Sequence, residues 1–429
     1  PEATGRADLV AHFFNKSFEL LRPAESLMPG TLNLISTKTV RQGDTRESSL
    51  ALITKKRGVI YNANRRLRWP GKAAVVIATV AITKDCNYSE GRLLDGKTVD
   101  FIGSFLLPLK AEDTPSSLAI NKGKSFVGSF VLGMGFTFDD SGKNSSKLDV
   151  MREAIRAEPD CAQFIKPYVG GDQANNQPVF EPIRYIIDFG ELDEEKASRS
   201  RRLWDIVKSR VLPERLETDL PGGLEAKRKK YPRMVDEWWK YWNSRTELYK
   251  AISSSQRVLV ANRAAAKFLT FSFVPNGCVY ADSLYVFSDQ TFAHFAVIQS
   301  RIHEVWARMF GTSLEDRLRY TGTTCYENFP FCSFTPALED AGKRYDLARA
   351  EVMQALGLGL TPLGNRLNDA DDHSPEIIRL RELHAAMDKA VLDSYGWSDI
   401  VPAYEFSGDY ENEDGSAGSV RLNFTEEVR

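Results

Sequence analysis

Three stretches of the sequence carry residue types whose spacing could do chemistry on a polyanion or a nucleobase. The first is GTSLEDRLRY (311–320). Glu315 and Arg317 are separated by one residue, so in an extended segment both side chains would point the same way. A carboxylate accepts a hydrogen bond from cytosine N4, and a guanidinium binds guanine O6 and N7 bidentately, so such a pair could read one C·G base pair across both strands. The same residues could equally form a surface ion pair, with Asp316 and Arg319 as alternative members.

The second stretch is RRLRWPGKAAVVIATVAIT (65–83), where Arg65, Arg66, Arg68 and Lys72 crowd Trp69 just before a small, β-branched run. Between Lys55 and Lys72 there are seven basic residues and no acidic one. A second basic run, EAKRKKYPRM, covers 225–234, while acidic residues collect in FGELDEEK (189–196) and GDYENEDG (408–415). The formal net charge is only −2, which argues against a uniformly basic nucleic-acid binder. Local basic stripes on a neutral chain nevertheless suit a groove that tracks phosphates, although solvated surface charge accounts for either run equally well. Lys227 to Lys230 read slightly better as solvated.

The third group is dispersed. Asn262 and Arg263, and likewise Asp282 and Ser283, fall at turns between strand-like runs. Gln42, Thr45 and Arg46 in VRQGDTRE lie at a strand-to-helix junction, where a helix N-terminus can hold a phosphate. Lys124 opens the run KSFVGSFVLGMGFTFDD.

Other chemistries find little support. The histidines (His12, His294, His303, His373, His384) form no HExxH, and the cysteines (Cys86, Cys161, Cys278, Cys325, Cys332) form no CxxC, so a metal site is not indicated. His303 reads as a packing or surface residue. No GxSxG or GxxxxGK[ST] occurs, and the GxG in VLGMGFTFDD lacks a following helix to present N–H groups; it reads better as glycines relieving crowding in a curved strand. The odd number of cysteines suits a reducing cytoplasm. No apolar run is long enough to span a membrane, and PEATGRADLV has no basic-then-apolar leader.

The elements that must position these residues read as an α/β chain of 429 residues with more than one domain. DLVAHFFNKSFELL (8–21) places Leu9, Phe13, Phe14, Phe18 and Leu21 at helical spacing behind a capping Asp8. GTLNLIST (30–37) reads as a buried strand, VRQGDTRESSLALI as a turn and helix. GVIYNANRR (58–66) and AAVVIATVAIT (73–83) read as two strands with no room for a helix between them, hence an antiparallel hairpin at a sheet edge. This suggests the C-terminal half of a doubly wound sheet over 1–90. A linker is expected over 91–120, with EDTPSS in it, then a mixed α/β domain over 121–335. A helical region over 336–400 has Pro375 at a helix start, and an acidic, loop-like tail covers 401–429. FAVIQSRIHEVWARMFG (295–311) reads as one helix with Gly311 as its C-cap. The chain opens on Pro1 with a helical pattern almost at once, so it reads as a piece of something longer.

The ordered set LISTKTVRQGDTRESSL, RWPGKAAVV, GKSFVGSFVLGMGFTFDD, PYVGGDQANNQP, RYIIDFGE, SLEDRLRYTGTTCYENFPF and LRELHAAMDKAVLDSYGW resembles the MmeI-like class I DNA methyltransferases, over about residues 8–400. These are type IIL restriction–modification proteins and their methyltransferase-only relatives. The resemblance implies a Rossmann-like methyltransferase sheet, a DNA target-recognition domain and a helical C-terminal region. It also implies methylation of adenine N6 in double-stranded DNA with S-adenosylmethionine in a bacterial or archaeal cytoplasm.

The family's Asn-Pro-Pro-Tyr/Phe loop and glycine-rich cofactor loop do not occur in this sequence. No catalytic or cofactor-binding residue is therefore expected here, nor a bound cofactor, and methyl transfer would need the remaining portion of the parent protein. Trp69 stands where related adenine methyltransferases carry an aromatic against which the flipped base stacks; alternatively it fills a seam between domains. The positions of Glu315 and Arg317 match specificity positions of similar proteins. Backbone contacts are expected from Gln42, Thr45, Arg46, Arg65, Arg66, Arg68, Lys72, Lys124 and Arg319, and base reading from Glu315, Arg317, Asn262, Arg263, Asp282 and Ser283. Two readings remain beside this one: a DNA-specificity module that works without catalysis, and a component of a BREX-type phage-defence methyltransferase.

Overall fold

The computed structural model describes residues 7–70, 72, 75–110, 114–176, 181–264, 266–314, 317–408, 410–411, 417–418 and 420–428. The helix Leu9–Leu20 buries Ala11, Phe14 and Phe18, one face at i, i+3 and i+7. Leu9 and Phe13, expected on the same face, stay exposed. Asp8 occupies the N-cap position without a side-chain cap; its backbone N–H donates to Thr45 Oγ1 at 3.1 Å.

Behind this helix the strand Val76–Thr83 pairs antiparallel with both Thr31–Thr37 and Val59–Arg68. The two expected neighbours do pair, but Val76–Thr83 lies between the other strands rather than at an edge. Its small and β-branched residues (Ala78, Val80, Ala81, Ile82) are buried on both faces, as an interior strand requires. Thr31–Thr37, expected to be buried, has a neighbour on one side only among the described residues and alternates between open and covered positions, with Ile35 exposed.

The expected linker folds onto this sheet. Arg92–Leu94 pairs parallel with Asn62 and Ala63, Lys97–Val99 pairs back on it, and Ile102, Phe105 and Leu106 enter the same core. The expected tail is likewise not a loop. Tyr404–Ser407 pairs with Arg421–Phe424, and Glu411 pairs with Leu67 of the first sheet.

Residues 121–335 build two further sheets of four strands each. One runs in the order Phe271–Pro275, Arg257–Asn262, Leu284–Phe287, Ser125–Val127, all antiparallel. The other places Ile165–Val169 between Val279–Tyr280 and Tyr185–Ile187, with Thr137–Phe138 beyond. The helix Arg201–Leu216 covers the second sheet with Trp204, Val207 and Val211. Gly135 permits the approach, because a Cβ there would stand 2.8 Å from Arg210 Cβ. Gly135 thus serves close packing, whereas Gly133 supplies a φ of 136° that other residues rarely adopt.

FAVIQSRIHEVWARMFG forms two helices, Phe292–Gln299 and Arg301–Phe310, not one. Ser300 breaks them, its hydroxyl accepting from His303 N as an N-cap. Gly311 is no left-handed cap, since its φ is −73°; it is small because a Cβ would lie 2.4 Å from the Ala307 carbonyl oxygen. Pro336–Leu356 and Pro375–Ser394 pack against these helices and share their core. Pro375 does begin its helix. Among the described residues no helix is long and apolar enough to cross a membrane.

His303 is fully buried, and its Nε2 meets the Tyr320 hydroxyl at 3.0 Å. Burial, aided by His294, pushes its pKa from 6.5 down to about 3. The folded chain therefore keeps it neutral while the unfolded chain protonates below about pH 6.5. Its share of stability is full above that pH and is lost as pH falls from about 6.5 towards 3, amounting to about 2 kcal/mol by pH 5. Urea midpoints at pH 7.5 and pH 5 should differ less in His303→Gln than in the parent chain; equal differences would refute the assignment.

Candidate nucleic-acid interface

The hairpin of Thr312–Leu314 and Arg317–Arg319 is the element around which the site is built. Its register pairs Leu314 with Arg317 and Thr312 with Arg319. Glu315 and the neighbouring Asp316 lie outside the described residues. Leu318 is buried and pairs with Ala266 through two backbone hydrogen bonds of 2.9 and 3.0 Å. Strand alternation then leaves Arg317 and Arg319 exposed on either side of it.

On one side of Leu318 lies a cavity of about 300 Å³ walled by Asn262, Lys267, Phe268, Thr270 and Arg317, with Asn175 and Thr361 at its rim. Asn262 ends the strand Arg257–Asn262 and accepts from Ala264 N at 2.9 Å. Gly171 leaves room for Asn262, because a Cβ there would stand 3.0 Å from its Nδ2 and push the amide aside by a few tenths of an ångström. Ser283 ties the adjoining loops together: its hydroxyl accepts from Gly171 N at 3.2 Å and its carbonyl from Arg263 N at 2.8 Å. Arg263 also donates to the Asp282 carbonyl at 3.2 Å. The structure thus gathers Asn262, Arg263, Asp282 and Ser283 at one end of two sheets, and brings Arg317 to the same cavity as Asn262.

Asn175, Lys267 and Thr361 were not anticipated. Lys267 had a weak signal, as the one charged residue in the run AAAKFLTF. Its carbonyl is held by Arg308 Nη2 at 3.0 Å and Arg421 Nη1 at 3.3 Å, which fixes the loop bearing it.

On the other side of Leu318 opens a larger cleft of about 390 Å³ between the first sheet and the helix Arg301–Phe310. Lys38, Arg41, Arg66, Lys97, Arg301 and Arg308 line it against Glu304 and Glu426. Gln42 also reaches this cleft although it is largely buried.

Two expected phosphate contacts are instead committed inside the protein. Arg46 is 2% exposed, lies 3.8 Å over the Phe105 ring and donates to Ser104 and Thr114 at 2.6 and 2.5 Å. Arg65 is buried against Asp95 at 2.7 Å and donates to the Leu106 carbonyl. The two guanidiniums thereby hold Asp95, Ser104, Leu106 and Thr114 against the sheet. Thr45 is buried as well, as the acceptor for Asp8.

By contrast Arg68, Trp69 and Lys72 are exposed at the end of Val59–Arg68. Trp69 is 41% exposed, and no seam among the described residues encloses it. Lys124 is exposed at the start of Ser125–Val127. Lys227 to Lys230 ride on a helix, Gly223–Lys230, with no buried residue.

The two sheets, the gathered turns and the exposed hairpin all lie within a region whose family is identifiable. Residues 120–333 match the family described as MmeI, target recognition domain; this part of the chain is an MmeI-like target recognition domain. The fold of the chain is similar to that solved for the type IIL restriction–modification enzyme MmeI in complex with DNA, with TM-score 0.65 and 18% identity over 92% of this chain. The chain covers 51% of that protein's length. A second solved structure, the type IIG restriction endonuclease BpuSI, aligns at TM-score 0.33 and 10% identity, covering 92% of this chain and 50% of that one. A search of curated proteins found no match.

Proposed function

We propose that this chain is the double-stranded-DNA recognition part of a restriction–modification protein whose complete form methylates adenine N6 with S-adenosylmethionine. The observation that carries the reading is the hairpin at Leu318, which separates a polar cavity bearing Asn262, Lys267 and Arg317 from a basic cleft bearing Arg41 and Arg66. A duplex gripped across the hairpin would present base edges to the first and phosphates to the second. Arg317 suits guanine, Asn262 adenine, and Asp282 the N4 amino group of cytosine. Glu315 keeps the role of partner to Arg317, and Ser283 that of an adaptable contact. Gln42, Arg66, Arg68, Lys72, Lys124 and Arg319 would hold the backbone.

Trp69 would stack on the adenine turned out of the helix. The strand Thr31–Thr37, paired on one side only among the described residues, with Leu9, Phe13 and Ile35 exposed beside it, supports reading the first sheet as part of a larger catalytic sheet. The cofactor and the methyl-transfer step would belong to the remaining portion of the complete protein.

The test is fluorescence anisotropy of the chain with a labelled 30-base-pair duplex of mixed sequence between 50 and 200 mM salt. Binding should weaken at least about tenfold over that range, as counterion release demands for several phosphate contacts. Binding that is undetectable at 50 mM salt, or unmoved by salt, would overturn the reading.

A further inference from the structure

The corner joining the two sheets holds a cluster that no base-reading role explains. Phe130 and Asn243 pair through reciprocal backbone hydrogen bonds of 3.0 and 3.1 Å. Leu132 (φ 45°) and Arg245 (φ 55°), both left-handed non-glycine residues, flank that pairing. Strain of this kind persists where the surroundings impose it, and it gathers at binding sites.

Here it places two guanidiniums on one ring: Arg245 lies 4.9 Å and Arg263 5.7 Å from the Phe130 centroid. Neither forms an ion pair with a carboxylate among the described residues. Among the described residues the Arg263 side chain meets the Asp282 carbonyl and the ring, and the buried Nε of Arg245 has no hydrogen-bond partner. Trp242 stands edge-on to Phe130 at 5.5 Å and is 38% exposed. Two like charges gathered on one aromatic, with no counter-ion among the described residues, form a site complementary to an anion, and the exposed indole beside them offers an apolar face.

We infer that Arg245 and Arg263 clamp a single phosphodiester of the duplex while Trp242 packs on the neighbouring deoxyribose. The site is set one residue along from Asn262, so it would fix the register in which the adjoining side chains meet the bases. This rests on the reading that the chain grips DNA, and it moves Arg263 from base reading to backbone holding.

The experiment compares the 429-residue chain with Arg245→Gln, Arg263→Gln and the double variant. It measures the slope of log affinity against log salt for the mixed duplex, after circular dichroism has established that each variant is folded. Each single change should lower the slope by about one and weaken binding to all sequences alike. The double variant should also lose about one, not two, because both side chains hold the same phosphate. Arg245→Lys should restore part of the slope.

A drop of two in the double variant, unchanged slopes in both single variants, or a changed motif in selection from a randomised duplex pool would each overturn the clamp. Failure of the parent chain itself to bind would instead overturn the reading on which it rests.

Discussion

Replacing Asp388 by Ala is expected to destabilise the chain by about 3–5 kcal/mol, the range for removing one member of a buried ion pair. Asp388 is 0% exposed on the helix Pro375–Ser394. Its Oδ2 takes Arg301 Nη1 at 2.7 Å, and its Oδ1 takes the Arg301 backbone N–H at 2.9 Å, the first of the helix Arg301–Phe310. Burial pushes the carboxyl up from its ordinary range, while the two contacts from Arg301 pull it back towards the ionised form. Arg301 also donates to the Leu422 carbonyl at 2.9 Å, and the Tyr404 hydroxyl approaches Asp388 at 3.3 Å. One carboxylate therefore joins two helices to the C-terminal hairpin.

Without it Arg301 is left as a buried cation, and the loss exceeds what the pair contributes net. The urea midpoint followed by far-ultraviolet circular dichroism should fall sharply. Limited proteolysis should open first between 404 and 424. Arg421, on the same hairpin, helps hold the Lys267 carbonyl, so duplex affinity should fall too. A loss below about 1 kcal/mol would mean that the pair is not structural in this sense.

The second large effect concerns specificity. Arg317→Ala should weaken binding to the preferred site by about 1–3 kcal/mol, some 5- to 150-fold, and relax the preference at one base pair. The fold should survive, because Leu318 carries the strand's burial while Arg317 faces outward. Arg319→Ala and Lys124→Ala make the contrast: each should weaken all duplexes evenly and lower the salt slope by about one. Selection from a randomised duplex pool separates the outcomes. If Arg317→Ala enriches the parent motif unchanged, the residue does not read a base.

The local sequence carried much of this in advance. Small and β-branched residues marked Val76–Thr83 as a strand, proline and helical periodicity marked Pro375–Ser394, and the run of turns marked Asn262, Arg263, Asp282 and Ser283. These features depend on neighbours a few residues away, which is what periodicity encodes. Long-range partners are not encoded there. Arg65 and Arg66 are adjacent and alike in sequence and both border the basic cleft, yet Arg65 is buried against Asp95 while Arg66 is only half-buried.

Arg46 found Ser104 and Thr114 in a stretch whose composition reads as a linker. The acidic tail became strand because Tyr404–Ser407 and Arg421–Phe424 pair with each other and Glu411 pairs with Leu67. Sequence alone determined which residues have the chemistry to meet a duplex and which short elements carry them. Tertiary structure decided which cations remain at the surface, since a guanidinium's availability depends on the carboxylate or carbonyl that folding brings to it, however distant in the chain.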